Sequence, residues 1–196
     1  RTDDIHKALT FAETVGIEGL SVTVPHKESV LNYVDTTDEK VDAIGACNTI
    51  VHSNGLWEGY NTDAEGFTKA ILEFTGTHSL LHKKVAIIGA GGAAKVVFYA
   101  LKQEDINTLL VSRKEDIKDK QIITYEELND MSFDDISLIV NATPCGMKKD
   151  LPPICPINTN KIISNNIVFD LIYNPPSTPL LSIARKQGAK TINGLS

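Results

Sequence analysis

The fold class this sequence predicts is α/β: a doubly wound parallel sheet preceded by a smaller α/β domain. Three observations carry that expectation. From residue 65 onward, short runs of β-formers alternate with helical patterns, the order that lays strands side by side in parallel. One of those strands, in "KKVAIIGAGGAAKVVFYALKQ", passes through a glycine turn directly into a helix. The residues before this region mix short helices with a hairpin, which cannot by itself make an open parallel sheet. The expected division is therefore 1–65 and 66–196.

The elements follow in chain order. Ile5, Ala8, Leu9, Ala12 and Val15 fall on one helical face, so residues 3–15 read as a helix with its cap at Thr2 or Asp3. "GLSVTVP" reads as a buried strand that Pro25 stops, because proline lacks an N–H for the ladder. "KESVLNYV" and "DEKVDAIG" are short helical pieces separated by Thr36-Thr37. "ACNTIVHSNGLWEGYNTD" holds two strands around Ser53-Asn54-Gly55, a hairpin signal. "EGFTKAILEFTG" is a helix, and the helix after the glycine turn puts Ala93, Val96, Val97, Ala100 and Leu101 on one face. "TLLVSR", "SLIVNATP" and "NIVFDLIY" supply three more strands, and "KTING" a fifth. "TPLLSIARKQG" is a helix with Pro179 near its start and Gly188 at its end. "KEDIKDK" reads as a solvated connection and "LPPICP" as a proline-rich loop.

Composition narrows the class of partner. A net charge of −6 gives no attraction to nucleic acid or to an anionic membrane. No apolar run reaches the roughly 20 residues a membrane span requires. Cys47, Cys145 and Cys155 are odd in number and form no C-x-x-C, which suits a reducing compartment better than a disulfide framework. A cytoplasmic protein working on a small molecule is expected, as a monomer or homodimer. The chain opens on Arg1 inside a helical pattern, without a signal peptide, and stops at "TINGLS", so it reads as a fragment.

The glycine turn is the firmest chemical signal. Gly89, Ala90, Gly91, Gly92 and Ala93 join strand to helix with side chains small enough for backbone N–H groups to approach a pyrophosphate. At the end of the next strand an NAD site usually offers an acid to the ribose 2′-hydroxyl. This chain has Ser112, Arg113 and Lys114 there, two of them cations suited to a 2′-phosphate, so NADP is expected over NAD.

A dehydrogenase must also move a proton as the hydride moves, and a positioned lysine can do so. Lys27 follows the "SVTVP" strand; Asn48 and Thr49 lie in "GACNT", and Asn61, Thr62 and Asp63 in "GYNTD". A carboxylate beside a lysine orders it, while amide and hydroxyl groups suit a polyhydroxylated substrate. His26 reads as a turn residue. His6, His52, His78 and His82 are scattered without metal-ligand spacing, and no metal is expected.

Taken together, "SVTVPHK", "GACNT", "GYNTDAEGF", "GAGGAAK", "VSRK", "NATPCGM" and "DLIYNPPSTPLL" resemble, in that order, the motif series of the shikimate dehydrogenases. The resemblance runs from about residue 16 to residue 194. It implies a Rossmann-like cofactor domain, a smaller substrate domain, and NADPH-dependent reduction of 3-dehydroshikimate to shikimate. By the same resemblance Lys27 and Asp63 match the family's catalytic pair. Thr23, Asn48 and Tyr173 would contact substrate. The Gly89–Ala93 turn, Ser112, Arg113 and Lys114 would bind the cofactor, with Asn141, Ala142, Thr143 and Leu171 passing near it and Gly194, like Tyr173, beside the substrate and nicotinamide. The family's leading strand with its Ser-x-Ser stretch and its returning terminal helix have no counterpart here, which implies weak or absent turnover by these residues alone. A quinate/shikimate dehydrogenase of the same superfamily and a non-catalytic dinucleotide-binding sensor or repressor are the alternatives.

Overall fold

The computed structural model describes residues 4–23, 25–75, 84–113, 121–148 and 150–195. The chain separates into two compact units, Arg1–Gly66 and Phe67–Ser196.

The first unit is built on a four-stranded sheet. Its members are β1 (Gly19–Ser21), β2 (Thr36–Thr37), β3 (Thr49–Ser53) and β4 (Leu56–Tyr60), in the spatial order β1-β3-β4-β2. β3 and β4 form the expected antiparallel hairpin. Asn54 and Gly55 both take positive φ at its tip, 52° and 79°, the turn whose twist matches the flanking strands. Thr36-Thr37, expected only to separate two helices, instead pairs in parallel with β4.

Helices α1 (Ile5–Thr14) and α2 (Glu39–Ile44) complete this unit. Asp4 caps α1 by accepting from the Lys7 N–H at 3.1 Å; the expected caps Thr2 and Asp3 lie outside the described residues. Leu9, Ala12, Val30, Val41, Ile50 and Trp57 pack together as the core. The Trp57 indole N–H donates to Glu13 Oε1 at 2.6 Å, and its ring lies 4.7 Å from that of His52.

The "GLSVTVP" strand is shorter than its composition implies. β1 ends at Ser21, and Val22 adds one more bond, donating its N–H to the Asn48 carbonyl at 2.7 Å. Val24 is outside the described residues. The Thr23 carbonyl accepts from the His26 N–H at 2.8 Å, a turn bond that takes the backbone out of the ladder. Lys27 therefore arrives on a turn rather than a strand tip.

α3 (Asp63–Thr75) begins two residues before the expected "EGFTKAILEFTG", and the boundary between units falls within it. The second unit is a six-stranded sheet, all parallel: β5 (Lys84–Ile88), β6 (Thr108–Val111), β7 (Ile122–Ile123), β8 (Ile136–Asn141), β9 (Ile167–Asp170) and β10 (Lys190–Asn193). The spatial order is β10-β9-β8-β5-β6-β7, two halves wound outward from β5 and β8, as the doubly wound fold requires. β8 and β9 are buried along their whole length and β5 beyond its first residue, which is why they read as near-continuous apolar runs.

α4 (Gly92–Gln103) and α6 (Pro179–Lys186) form where expected. Among the described residues, β7 and the helix α5 (Tyr125–Asp130) were not anticipated. α5 opens on a capping box, in which Thr124 accepts from the Glu127 N–H and Glu127 from the Thr124 N–H. The charged run "KEDIKDK", with Lys114, and His78 and His82 lie outside the described residues. No helix among the described residues is long and apolar enough to cross a membrane.

The cysteines differ in burial. Burial pushes the Cys47 thiol up and raises that of Cys155 to about 12, holding both as the unreactive thiol. Cys145 is only half-buried. Iodoacetamide at mildly alkaline pH should label Cys145 first and the other two only after unfolding. Peptide mass spectrometry reads this directly, and labelling of Cys155 as fast as Cys145 would contradict it.

Candidate active site

In the first unit three distant stretches meet at one cluster. The turn after β1 brings Lys27, the chain entering β3 brings Asn48, and the start of α3 brings Asp63. The backbone sets this up: the Cys47 N–H donates to the Lys27 carbonyl at 2.8 Å, and the Asn48 N–H to the Tyr60 carbonyl at 3.1 Å. Lys27 Nζ then donates to Asp63 Oδ2 at 2.5 Å, an ion pair with side-chain exposures of 21% and 36%. It is sheltered on the protein side yet open enough for a ligand to reach.

Asn48 fixes the carboxylate from behind. Its amide donates to Asp63 Oδ1 at 2.7 Å and to Thr62 Oγ1 at 2.9 Å. Its carbonyl accepts from the Thr62 N–H at 3.0 Å and the Thr49 hydroxyl at 3.1 Å. All the hydrogen-bonding capacity of Asn48 is thus engaged within the protein. Asn61 adds a further support: it is buried, accepts from the Asp63 N–H at 3.1 Å and donates to the Ala46 carbonyl at 2.8 Å. The motif order placed these residues in one domain; their bonds to the carboxylate were not legible in it. Thr23 is exposed on the turn preceding Lys27.

In the second unit the described residues of the expected cofactor set line up along the carboxyl ends of adjacent strands. Gly89 follows β5 with φ at +116°, and a Cβ there would stand 3.1 Å from Thr143 Cγ2 and 3.3 Å from the Ala142 carbonyl oxygen. Only glycine satisfies both the angle and the approach. Gly91 caps α4 with no side-chain bond, and a Cβ on it would meet nothing within 4 Å. The helix thus starts beside open space, with its positive end uncovered by any capping side chain, an arrangement that fits a pyrophosphate.

Ser112 and Arg113 follow β6, the next strand out; Ser112 is buried and Arg113 exposed. On the other side, Ala142 donates its N–H to the Ile88 carbonyl at 2.9 Å, and Leu171 to the Asn141 carbonyl at 3.1 Å. Gly194, after β10, sits so close to the Leu171 carbonyl that an added Cβ would overlap it. Gly89, Ala142 and Thr143 thereby meet between β5 and β8, where the winding direction reverses and such sheets bind their ligands. Tyr173 is 61% exposed just beyond.

A buried polar cluster behind this row escaped the sequence reading. Asp170 is fully enclosed, with Asn141 and Thr178 as neighbours. Burial pushes its carboxyl above the usual carboxylate range, against the opposing pull of donors from Thr178, Ile172 and Asn141. "DLIYNPPSTPLL" contains the residue, but nothing in its pattern says that an acid ending an apolar strand is enclosed.

Comparison with known proteins gives a consistent result. Residues 1–50 match the family model described as the shikimate dehydrogenase substrate binding domain. The shikimate dehydrogenase (NADP(+)) of Methanosphaera stadtmanae is 39% identical over 98% of this chain and 72% of its own. The crystal structure of shikimate dehydrogenase 1 from Peptoclostridium difficile superposes with a TM-score of 0.84 at 34% identity, covering 99% of this chain and 72% of that one. Quinate dehydrogenase from Corynebacterium glutamicum, in complex with NAD, has a TM-score of 0.82 at 27% identity, over 98% and 72%.

Proposed function

The chain belongs to the shikimate dehydrogenase family, and from that premise we propose how its residues carry the reaction. The enzyme is an oxidoreductase that reduces 3-dehydroshikimate to shikimate with NADPH, a step on the route to chorismate and the aromatic amino acids. When bound, the reduced cofactor supplies the hydride that the substrate carbonyl carbon receives.

Lys27 Nζ gives its proton to the carbonyl oxygen as that atom becomes a hydroxyl, and takes it back in the reverse direction. Asp63 Oδ2 holds the ammonium in place, and Asn48 keeps the carboxylate turned so that this oxygen faces the lysine. Thr23 and Tyr173, both exposed, contribute contacts to the substrate, as does the Asn48 side chain if it exchanges an internal partner. Gly89–Ala93 take the pyrophosphate. Ser112 and Arg113, with Lys114, hold the 2′-phosphate, and Asn141, Ala142, Thr143, Leu171 and Gly194 border the nicotinamide. The observation that carries the catalytic assignment is the Lys27–Asp63 pair, joined at 2.5 Å across 36 positions of sequence.

Calorimetric titration tests the cofactor half. The wild type should bind NADP+ in preference to NAD+, and Arg113→Ala should weaken NADP+ by about tenfold while leaving NAD+ unchanged. Equal affinities in the wild type would refute the 2′-phosphate assignment. The likeness to a quinate dehydrogenase favours a second reading, activity on quinate as well. Rates of the full-length protein with shikimate and quinate, each with both cofactors, separate the two.

A further inference from the structure

We infer that Asp170 is the positioning residue for the nicotinamide half of the cofactor site, an inference that takes its ligand from the cofactor reading above. Three bonds converge on this enclosed carboxylate. Oδ1 accepts from Asn141 Nδ2 at 2.9 Å and from the Ile172 N–H at 3.1 Å, and Oδ2 accepts from the Thr178 hydroxyl at 2.6 Å. Each partner belongs to a different stretch: the end of β8, the turn leaving β9, and the start of α6. One side chain ties all three together.

The consequences run outward from each bond. With its amide held by Asp170, Asn141 turns its carbonyl to the Thr143 N–H at 3.1 Å and the Thr143 hydroxyl at 2.7 Å. That fixes the 141–143 loop, which packs against Gly89. The bond to Ile172 sets the backbone beside Leu171, whose carbonyl leaves no room for anything but hydrogen on Gly194. Thr178, while donating to Asp170, accepts from the Leu181 N–H at 3.4 Å and so anchors the first turn of α6. Asn141, Ala142, Thr143 and Leu171 are therefore placed by segments that converge on this carboxylate, and Gly194 packs against Leu171. The three bonds of Asp170 go to Asn141, Ile172 and Thr178, none of them assigned to the pyrophosphate or the 2′-phosphate, and only the 141–143 loop, through Gly89, borders that part of the site.

Three donors converging in an interior without solvent need an acceptor, and a fully satisfied buried network of this kind makes one arrangement rigid. Alanine at position 170 would take the acceptor from the Ile172 N–H and the Thr178 hydroxyl and leave Asn141 Nδ2 only its longer bond to the Cys145 carbonyl, 3.4 Å. Asparagine keeps the shape. Its oxygen can face Asn141 and Ile172 while its amide donates to the Thr178 oxygen.

The test titrates NADP+ and 2′,5′-ADP, the adenosine half without nicotinamide, into wild type, Asp170→Ala and Asp170→Asn by calorimetry. Asp170→Ala should weaken NADP+ by about tenfold and leave 2′,5′-ADP within about twofold, while Asp170→Asn stays within about threefold of wild type for both. A protein merely loosened would lose both ligands alike; that result, or unchanged NADP+ affinity in Asp170→Ala, overturns the inference. If circular dichroism shows Asp170→Ala unfolded, Thr178→Val, which removes one of the three bonds, should give the same selective loss at about threefold, and an unchanged NADP+ affinity there overturns it equally. Wild type that binds neither ligand would overturn the cofactor reading, and this inference with it. Wild type that binds both and variants that lose no selectivity would overturn the inference alone.

Discussion

In the intact enzyme, Lys27→Ala is expected to lower kcat by about a thousandfold while leaving KM for shikimate within a few fold. The size follows from the task. Without an acid at the carbonyl oxygen, the hydride would have to create an alkoxide with only water to protonate it, and positioned acids commonly contribute between about a hundred and ten thousand in rate. KM should hold because the lysine is already engaged by Asp63 and its gain in interaction comes as charge develops on the oxygen. Steady-state rates at saturating NADP+ give both constants. A rise in KM at constant kcat would make Lys27 a binding residue instead. Asp63→Asn should fall between the two, since the amide still fills the space but no longer carries the charge that anchors the ammonium.

The second large effect concerns stability. Leu138→Ala should cost about 3 kcal/mol, within the range for leucines deleted from enclosed cores. Leu138 has no exposed surface and stands on β8, paired with Val85 of β5 on one side and Ile167 of β9 on the other. Strands hydrogen-bonded on both edges cannot close over a lost isobutyl group without breaking register, so the void persists. Urea unfolding followed by far-ultraviolet circular dichroism measures the change, and a loss under about 1 kcal/mol would mean that the sheet relaxes around the gap. Because the same strand ends in Asn141, a weakened NADP+ affinity should accompany the loss.

The parallel sheet was legible because its signals are long and redundant. Apolar runs at β5, β8 and β9, a glycine turn and two amphipathic helices all favour the same layout. β7 was not, because two residues, Ile122 and Ile123, carry no periodicity. α5 was legible in principle, since Thr124 and Glu127 stand at the spacing of a capping box. At the catalytic cluster the residue types could be read, but the geometry could not. Val22, Thr23 and Val24 are strong β-formers, yet the chain leaves the ladder after Val22 because the Thr23 carbonyl closes a turn to His26. Asn48 read as a ligand for hydroxyl groups; its internal bonds to Thr62 and Asp63 depend on where two other segments fold back. Asp170 belongs to the same class, since enclosure is a property of what packs around a residue and not of its neighbours in sequence.

The pairing of Trp57 with Glu13 has a practical side. This is the only tryptophan in the chain, and it sits in the core of the first unit with its indole N–H held by a carboxylate. Its fluorescence is therefore a built-in optical probe of one half of the molecule. A shift of the emission to the red would mark water reaching that core, whatever the parallel sheet was doing at the same denaturant concentration. Set beside circular dichroism, which registers both halves, the single indole would reveal whether the protein melts in one step or two.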